Sequence, residues 1–343
     1  MMRHAEQADR GSPIREVTGV SRLALPADLL RGDEPVVLRG LVADWPLVRA
    51  GLDGAAHAID YQQRHAREGE VVAMVAPSEV DGRLFYNEDL SGFNFRVERA
   101  RLASVLAGMR QQLDDARPPT LYMGSTTVET FFPGLAADHQ VALDAEGALY
   151  SIWIGNRTRI AAHQDLPDNL ACVAVGHRRF TLFPPDQLAN LYIGPLDFTP
   201  AGQAISLVDF AAPDFARFPR FATALAAAQT AVLGPGDALF IPSLWWHHIE
   251  ALDRFNVLMN YWWRQSPDFM DTPMNALMLA ILAVRDLPAA QRAAWQEVFR
   301  HYVFEPGDAV AAHIPEGARR VLAALTPDVA RELRARLLKR INR

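Results

Sequence analysis

The chain has 343 residues, of which 50% are hydrophobic and 22% are charged, and its formal net charge is −6. This composition is typical of a folded globular protein with a large core and excludes collagen-like, disordered and coiled-coil chains. The negative charge argues against a nucleic-acid-binding field over the whole surface, although it is compatible with a local basic patch. The single cysteine, Cys172, excludes an intrachain disulfide and a cysteine zinc cluster, and it favours a reducing, cytoplasmic location.

The N-terminal residues, MMRHAEQADRGSP, are polar and of mixed charge. We therefore expect no secretory signal there, and we predict a disordered leader over residues 1–14. The apolar run NALMLAILAV, which ends at Val284, is too short to cross a bilayer. The sequence thus predicts no membrane segment.

Residues 15–119 mix strand and helix patterns and predict an α/β extension that packs on the domain that follows. EPVVLRGLV is an apolar run that predicts a buried strand. VVAMVAPS and LFYN flank a turn at Asp81-Gly82, and this pattern predicts a β-hairpin. ARLASVLAGMRQQLDDA has apolar residues at helical spacing and predicts an amphipathic helix that ends before Pro118.

Residues 120–270 consist of short β-type runs separated by glycine, proline and aspartate. These runs are LYSIWIG, NLACVAV, RFTLF, AISLVDF, DALFIP and FNVLMNYWW. Strands at this spacing predict a β-sandwich or barrel, and the 23 prolines and 21 glycines fit its many turns. Residues 271–343 instead show three helical segments, the last of which begins at the capping sequence Thr326-Pro327-Asp328.

A candidate metal site lies in the segment AAHQDLPDN, where His163 and Asp165 are two residues apart. On a strand, residues two apart face the same side, so an imidazole and a carboxylate would lie together. A third ligand is available in PSLWWHHIE, where His247 and His248 follow another strand. Two histidines and one carboxylate on one side of a metal leave open positions, as in non-haem Fe(II) oxygenases. An HxD pair alone is more often a surface or capping pair, so this prediction depends on both segments.

Four blocks in order resemble the JmjC-like (cupin-like) Fe(II)/2-oxoglutarate oxygenases. They are HQD at 163–165, GHRRFTLFPPDQ at 176–187, GPGDALFIPSLWWHHIE at 234–250 and NYWW at 260–263. The similarity extends from about Tyr122 to Trp263. It implies a mainly β protein with flanking helices, in which a double-stranded β-helix (jelly-roll) core at 120–270 carries a C-terminal helical segment at 271–343.

The resemblance also implies which residues form the site. His163, Asp165 and His247 would bind Fe(II), and His248 would then face away from the metal. Family members commonly have a lysine at the place of Arg178, where it pairs with the distal carboxylate of 2-oxoglutarate. The residues that the resemblance places around this co-substrate are Tyr122, Asn169, Arg178, Asn260 and Trp262.

The resemblance finally implies a dioxygenase that consumes 2-oxoglutarate and dioxygen and releases succinate and CO2. We expect it to hydroxylate a side chain of a protein or peptide. Two alternatives stay open: oxidation of a modified tRNA base or a small molecule, and a non-catalytic cupin-like protein that binds metal. A nucleic-acid contact is expected only through the basic run from Arg331 to Arg343, which favourable charge at a helix C-terminus also explains. The apolar helices of residues 271–343 would either form a homodimer or cap the barrel of a monomer.

Overall fold

Two β-sheets form the centre of the first of two compact units in this protein. The computed structural model describes residues 11–145, 147–307 and 310–342. Unit 1 is Met1–Gln265 and unit 2 is Ser266–Arg343. No helix within the described ranges is long and apolar enough to cross a membrane.

The strands of unit 1 are short and are mostly paired antiparallel. Their bounds are β1 (Ser12–Pro13), β2 (Arg15–Thr18), β3 (Val36–Arg39), β4 (Glu70–Ala76), β5 (Arg83–Leu84), β6 (Arg96–Arg101), β7 (Thr120–Thr127), β8 (Leu149–Gly155), β9 (Arg159–His163), β10 (Asp168–Val175), β11 (Arg178–Phe183), β12 (Gln229–Leu233), β13 (Ala238–Ile241), β14 (Trp246–Ala251) and β15 (Asn256–Trp263). Among the described residues they form a six-stranded sheet, β1-β12-β11-β14-β9-β5, and a nine-stranded sheet, β2-β3-β13-β10-β15-β8-β7-β4-β6. The two sheets and the helices confirm the predicted fold class, a jelly-roll core with flanking helices.

Helices of unit 1 cover the outer face of the nine-stranded sheet. Their bounds are α1 (Pro46–Asp53), α2 (Ala55–His65), α3 (Leu102–Gln111), α4 (Val128–Phe131) and α5 (Pro133–Ala136). A further helix, α6 (Phe221–Ala226), instead packs with Phe183 and Trp246 of the six-stranded sheet. Leu47 of α1, Ile59 of α2 and Leu106 of α3 pack in one core with the outward-facing side chains of that sheet. The central strands of the sheet are therefore buried on both faces, against helices on one side and the six-stranded sheet on the other, whereas the edge strand β6 is mostly exposed.

Strand β10 shows why its sequence, DNLACVAV, lacks polar alternation. Every residue of it is buried. Leu170 and Cys172 pack in the core beneath the helices, whereas Ala171 and Val173 pack in the core between the sheets. Because side chains alternate along a strand, Asn169 shares the inner face with Ala171. A polar residue on that face must find a partner inside the jelly-roll.

The predicted hairpin around Asp81-Gly82 is wrong. Strand β5 leaves β4 and pairs in parallel with β9 in the other sheet, while β4 pairs with β6 and β7. The turn redirects the chain because Asp81 (φ 48°) and Gly82 (φ 76°) both adopt left-handed backbone conformations. At Gly82 a Cβ atom would lie 2.4 Å from the Arg157 carbonyl oxygen, so the close approach of the two segments requires glycine.

Two further expectations need correction. Residues 1–10 of the predicted disordered leader lie outside the described residues, but Ser12–Pro13 pairs with β12 and Ile14 is buried. The predicted strand AISLVDF is instead an irregular segment with a single bridge between Ile193 and Ser206. Its polar ends satisfy their hydrogen bonds locally: the Ser206 hydroxyl donates to the Leu191 carbonyl at 2.6 Å.

Unit 2 is helical, as the sequence predicts. Its helices are α7 (Pro273–Ala283), α8 (Ala289–Phe299) and α9 (Pro327–Ile341), and a π-helical turn, Arg300–Phe304, follows α8. Thr326 caps α9, because its Oγ1 atom accepts a hydrogen bond from the Val329 N–H at 3.3 Å.

Candidate metal centre and co-substrate pocket

Three potential metal ligands meet where β9 and β14 pair in the six-stranded sheet. His163 lies directly opposite His247 in the register of the two strands, and their ring centroids are 4.2 Å apart. Asp165 follows β9 by two residues, and its Oδ2 atom lies 3.6 Å from His247 Nε2. One ligand atom from each of the three lies within 4.8 Å of the others. The two sequence segments therefore converge on one point, as predicted.

The two imidazoles are oriented by backbone carbonyls. His163 Nδ1 lies 2.9 Å from the Ala161 carbonyl oxygen, and His247 Nδ1 lies 3.0 Å from that of Trp245. Because a carbonyl only accepts, each Nδ1 carries the proton and each Nε2 keeps its lone pair for a ligand. Metal-binding histidines are commonly held in this way, with the second ring nitrogen donating to a backbone carbonyl.

The electrostatics of the three groups also suit a cation. Burial, together with the nearby His247, lowers the pKa of His163 to about 4, so its imidazole is neutral at pH 7. Burial acts to raise the pKa of Asp165, but the adjacent imidazoles outweigh it and the pKa is lowered. Its Oδ2 atom is buried and accepts no hydrogen bond within the described ranges. A buried carboxylate oxygen without a donor, beside two Nε2 lone pairs, fits a divalent metal ion.

These ligands lie in a pocket of about 520 Å³ between the two sheets. All eight residues that the sequence proposed for the site line it: Tyr122, His163, Asp165, Asn169, Arg178, His247, Asn260 and Trp262. Strand alternation explains this convergence, because each of these strand residues is on the inward-facing set of its strand. His248 lies on the opposite face of β14, buried against Phe210 at a ring-centroid distance of 4.4 Å.

Arg178 supplies a positive charge to this pocket. Its side chain is 1% exposed, and its Nε and Nη2 atoms have no hydrogen-bond partner among the described residues. Burial lowers the pKa of Arg178, while the hydroxyl of Tyr122 acts in the opposite direction. An unpaired, buried guanidinium is costly, so a site of this kind favours an anion that pairs with it.

The opposite wall carries amides and indoles. Asn260 Nδ2 donates to Asn169 Oδ1 at 3.1 Å, and Trp153 Nε1 donates to Asn260 Oδ1 at 2.7 Å. The Trp262 Nε1 atom is buried and lacks an acceptor within the part of the chain that the structure describes. Asn169 and Asn260 are 6% and 1% exposed, so water has little access to their amides.

Sequence reasoning missed the outer part of the pocket. Its lining includes Glu70, Val72 and Met74 of β4, Phe131 of α4, and Gln203 from the loop before β12. These residues belong to segments without a recognisable motif. Residues two apart on β4 share one face of the strand, and this spacing was the available signal in the sequence. Only the sheet order, however, places β4 beside β7.

A jelly-roll of two sheets around a His-Asp-His set defines a metal-binding cupin-type protein. The cupin-like domain family matches residues 22–269 of this chain. The chain therefore belongs to the cupin-like domain family.

Several curated proteins are similar to this chain. Lysine-specific demethylase JMJ31 of Arabidopsis thaliana is 28% identical over 268 residues, which cover 69% of this chain and 48% of that protein. Lysine-specific demethylase 8 of Xenopus tropicalis is 26% identical over 233 residues, covering 67% and 48% respectively. tRNA wybutosine-synthesizing protein 5 of Gallus gallus is 26% identical over 277 residues, covering 74% and 78%. The chain thus spans about half the length of the two demethylases, at 48% of each.

Proposed function

We propose that this protein is an Fe(II)- and 2-oxoglutarate-dependent dioxygenase. The observation that carries the proposal is the buried guanidinium of Arg178, two of whose nitrogen atoms have no partner among the described residues and which lines the same pocket as the three metal ligands. A metal site alone would fit many functions. A buried cation in the same pocket adds the anchor that a dicarboxylate needs when its other end chelates the metal.

His163 Nε2, His247 Nε2 and the Asp165 carboxylate would hold the iron, which leaves open positions for the co-substrate and dioxygen. When bound, iron and 2-oxoglutarate supply the oxidative chemistry that releases succinate and CO2 and hydroxylates the substrate. The remaining residues bind, orient and exclude water.

Tyr122 and Arg178 would together bind the distal carboxylate. Burial raises the pKa of Tyr122 to about 12, so its hydroxyl keeps its proton and can donate it. Arginine is longer than the lysine common in the family, but its planar fork can donate two parallel hydrogen bonds to one carboxylate. Asn169, Asn260 and Trp262 line the rest of the pocket and would contact the metal-proximal part of the co-substrate.

We further propose a protein or peptide as the substrate and side-chain hydroxylation as the reaction. The four motif blocks resemble those of the asparaginyl hydroxylase that acts on hypoxia-inducible factor. Two relatives carry the name lysine-specific demethylase, which also indicates a protein substrate for those enzymes. The apolar side chains of Val72, Met74 and Phe131 near the mouth suit the packing of a polypeptide side chain.

A tRNA substrate is the second candidate, because one relative is named for tRNA wybutosine synthesis. The predicted basic contact in α9 gives it little support. Arg331 pairs with Asp328 at 2.8 Å and Arg336 pairs with Glu332 within the same helix. The charges of these two arginines are therefore balanced locally. Binding to tRNA that weakens steeply with salt would favour this candidate.

Homodimerisation through unit 2 is also a proposal, made from its sequence pattern. Its helices carry large apolar side chains that are more than a third exposed, among them Met274, Leu277, Leu282, Trp295, Val298 and Phe304. Large apolar side chains exposed in this number would form an association site if they lie together. Light scattering after size exclusion should report a dimer, and Leu282→Glu should shift it to monomer.

The proposed activity is tested by succinate release with Fe(II), ascorbate and 2-oxoglutarate. We expect slow release without substrate and loss of both iron and activity in His163→Ala. The control is His177→Ala, because His177 is exposed and bonds to Asp253 on the surface, 2.7 Å away. If the wild-type protein releases no succinate and its melting temperature does not respond to 2-oxoglutarate or N-oxalylglycine, the metal-binding, non-catalytic interpretation replaces this proposal.

A further inference from the structure

An indole and two side-chain amides form a chain of hydrogen bonds along the pocket wall. Trp153 Nε1 donates to Asn260 Oδ1 at 2.7 Å, and Asn260 Nδ2 donates to Asn169 Oδ1 at 3.1 Å. The three residues lie on β8, β15 and β10, which are neighbours in the nine-stranded sheet. All three line the pocket that holds the metal ligands.

The indole sets the direction of this chain of bonds. An indole N–H can donate but cannot accept, so Asn260 must turn its oxygen toward Trp153 and its NH2 group toward Asn169. Asn169 must then turn its oxygen toward Asn260, which leaves its own NH2 group for the pocket. Without the indole donor, both amides could turn over, because the two ends of an amide have nearly the same shape and differ only in hydrogen bonding.

Trp153 is itself held by its neighbours. Its ring stacks with that of Tyr122 at a centroid distance of 6.2 Å and meets Trp262 edge to face at 5.6 Å. The indole therefore touches residues of both proposed halves of the co-substrate site. Its N–H group cannot swing away from Asn260 without disturbing these contacts.

We propose that Trp153 is a positioning residue whose indole N–H fixes the Asn260 and Asn169 amides so that Asn169 presents its NH2 group to a carboxylate of bound 2-oxoglutarate. This inference rests on the proposed function. A carboxylate only accepts hydrogen bonds, so an NH2 group is matched to it whereas an amide oxygen would repel it. Because the amides are buried, water cannot easily supply the missing donor.

Two substitutions of Trp153 separate the donor from the ring. Trp153→Phe and Trp153→His both replace the bicyclic indole by a single smaller ring and leave a gap. The imidazole Nε2 atom, however, occupies the same place in the five-membered ring as the indole Nε1, so histidine can restore the N–H donor. Phenylalanine has the larger apolar ring, so tighter binding by the histidine variant than by the phenylalanine variant reports the hydrogen bond rather than packing.

The experiment measures the affinity for 2-oxoglutarate by calorimetry on the full chain loaded with Ni(II), which does not support turnover. We expect Trp153→Phe to weaken binding at least about tenfold, the order of one lost hydrogen bond to a charged group. Trp153→His should stay within about threefold of wild type, and Ni(II) affinity should be unchanged in both. The visible charge-transfer band of the anaerobic Fe(II)–2-oxoglutarate complex should shift in the phenylalanine variant only.

Other outcomes would overturn the proposal. Equal weakening in both variants would assign Trp153 a packing role, and unchanged affinity in Trp153→Phe would show that the amides keep their orientation unaided. Should Trp153→Phe not fold, Asn260→Asp takes its place, because an aspartate accepts from Trp153 but cannot donate to Asn169. Trp45→Phe serves as the control for exchanging a buried tryptophan for phenylalanine, since the Trp45 Nε1 atom has no partner among the described residues. Absence of 2-oxoglutarate binding by the wild type would instead refute the proposed function, and this inference with it.

Discussion

Replacing Arg178 by methionine should change stability in opposite directions with and without 2-oxoglutarate. Arg178 is 1% exposed, and two of its nitrogen atoms have no partner in the described part of the chain. An unpaired buried charge is destabilising, and burial lowers its pKa for the same reason. Methionine has a similar length and no charge. The ligand-free variant should therefore be more stable than the wild type by at least about 1 kcal/mol.

The same substitution should remove the response to 2-oxoglutarate. Two hydrogen bonds from the guanidinium to a carboxylate contribute about 1.5–3 kcal/mol each, so their loss should weaken binding by about 100-fold or more. At a 2-oxoglutarate concentration about 100 times the wild-type Kd, binding stabilises the wild type by about 2.7 kcal/mol. This corresponds to a rise in Tm of roughly 5–10 °C for a domain of this size. The variant would be at most half saturated and should gain only about 0.4 kcal/mol, or about 1 °C.

Thermal unfolding of the Ni(II)-loaded protein, with and without 2-oxoglutarate, measures both effects. Arg179→Met is the matched control, because Arg179 lies on the other face of the same strand and pairs with Glu250 at 3.0 Å. It should lose a little stability and keep the full response to 2-oxoglutarate. The reasoning fails if Arg178→Met keeps that response, or if it loses as much stability without ligand as the control or more.

Three further predictions concern single side chains. Tyr122→Phe removes a buried hydroxyl beside Arg178 and should weaken 2-oxoglutarate binding by about tenfold without changing Ni(II) affinity; a parallel loss of metal would contradict this assignment. His139 is fully buried, with Nδ1 2.9 Å from the Leu135 carbonyl and Nε2 accepting from the Leu47 N–H at 3.0 Å. Burial lowers the pKa of His139 to about 4. As the pH falls, this histidine therefore binds a proton in the unfolded chain before it does so in the folded protein. This contribution to stability is complete above pH 6.5 and is lost as the pH falls toward 4, by about 3 kcal/mol in total. Urea titrations should compare the wild type with His139→Gln from about pH 7.5 to about pH 4.5, roughly the range in which unperturbed and lowered histidines titrate. The free energy of unfolding should fall less steeply with pH in the variant than in the wild type, and parallel curves would refute this prediction. Gly82→Ala should destabilise the protein by about 2 kcal/mol or more, because the left-handed backbone and the Arg157 carbonyl both exclude a Cβ atom; Gly147→Ala, at a left-handed position with open space around it, should cost less in the same unfolding assay.

The inner face of each strand was largely readable from the sequence. In β10, β15 and β11 the side chains alternate between the two faces, so one inward residue fixes the rest. The family resemblance implied that Asn169, Asn260 and Arg178 lie at the co-substrate site, and their places on these strands agree with the alternation. The pairing of β9 with β14, which brings His163 opposite His247, does not follow from alternation and was expected only through the family resemblance.

The sequence did not reveal which distant strands pair or which polar atoms lack a hydrogen-bond partner. The turn at Asp81-Gly82 looked local, yet β5 crosses to the six-stranded sheet because the left-handed backbone turns the chain away from β4. Likewise, VVAMVA predicted a strand, but only the sheet order puts its Val72 and Met74 at the mouth of the pocket. Pairing between distant strands depends on packing energies summed over the whole fold, which no local window contains.

The sequence by itself determined the class of fold, the residue types of the metal site and the absence of any thiolate alternative to them. Those features depend on composition, on spacing and on short-range geometry. The tertiary structure decided that two nitrogen atoms of the buried Arg178 guanidinium have no partner among the described residues, and that the Trp153 indole donates to Asn260, which in turn donates to Asn169. Hydrogen-bond satisfaction is a property of atoms brought together from several strands, so it exists only once the sheets have closed around the site.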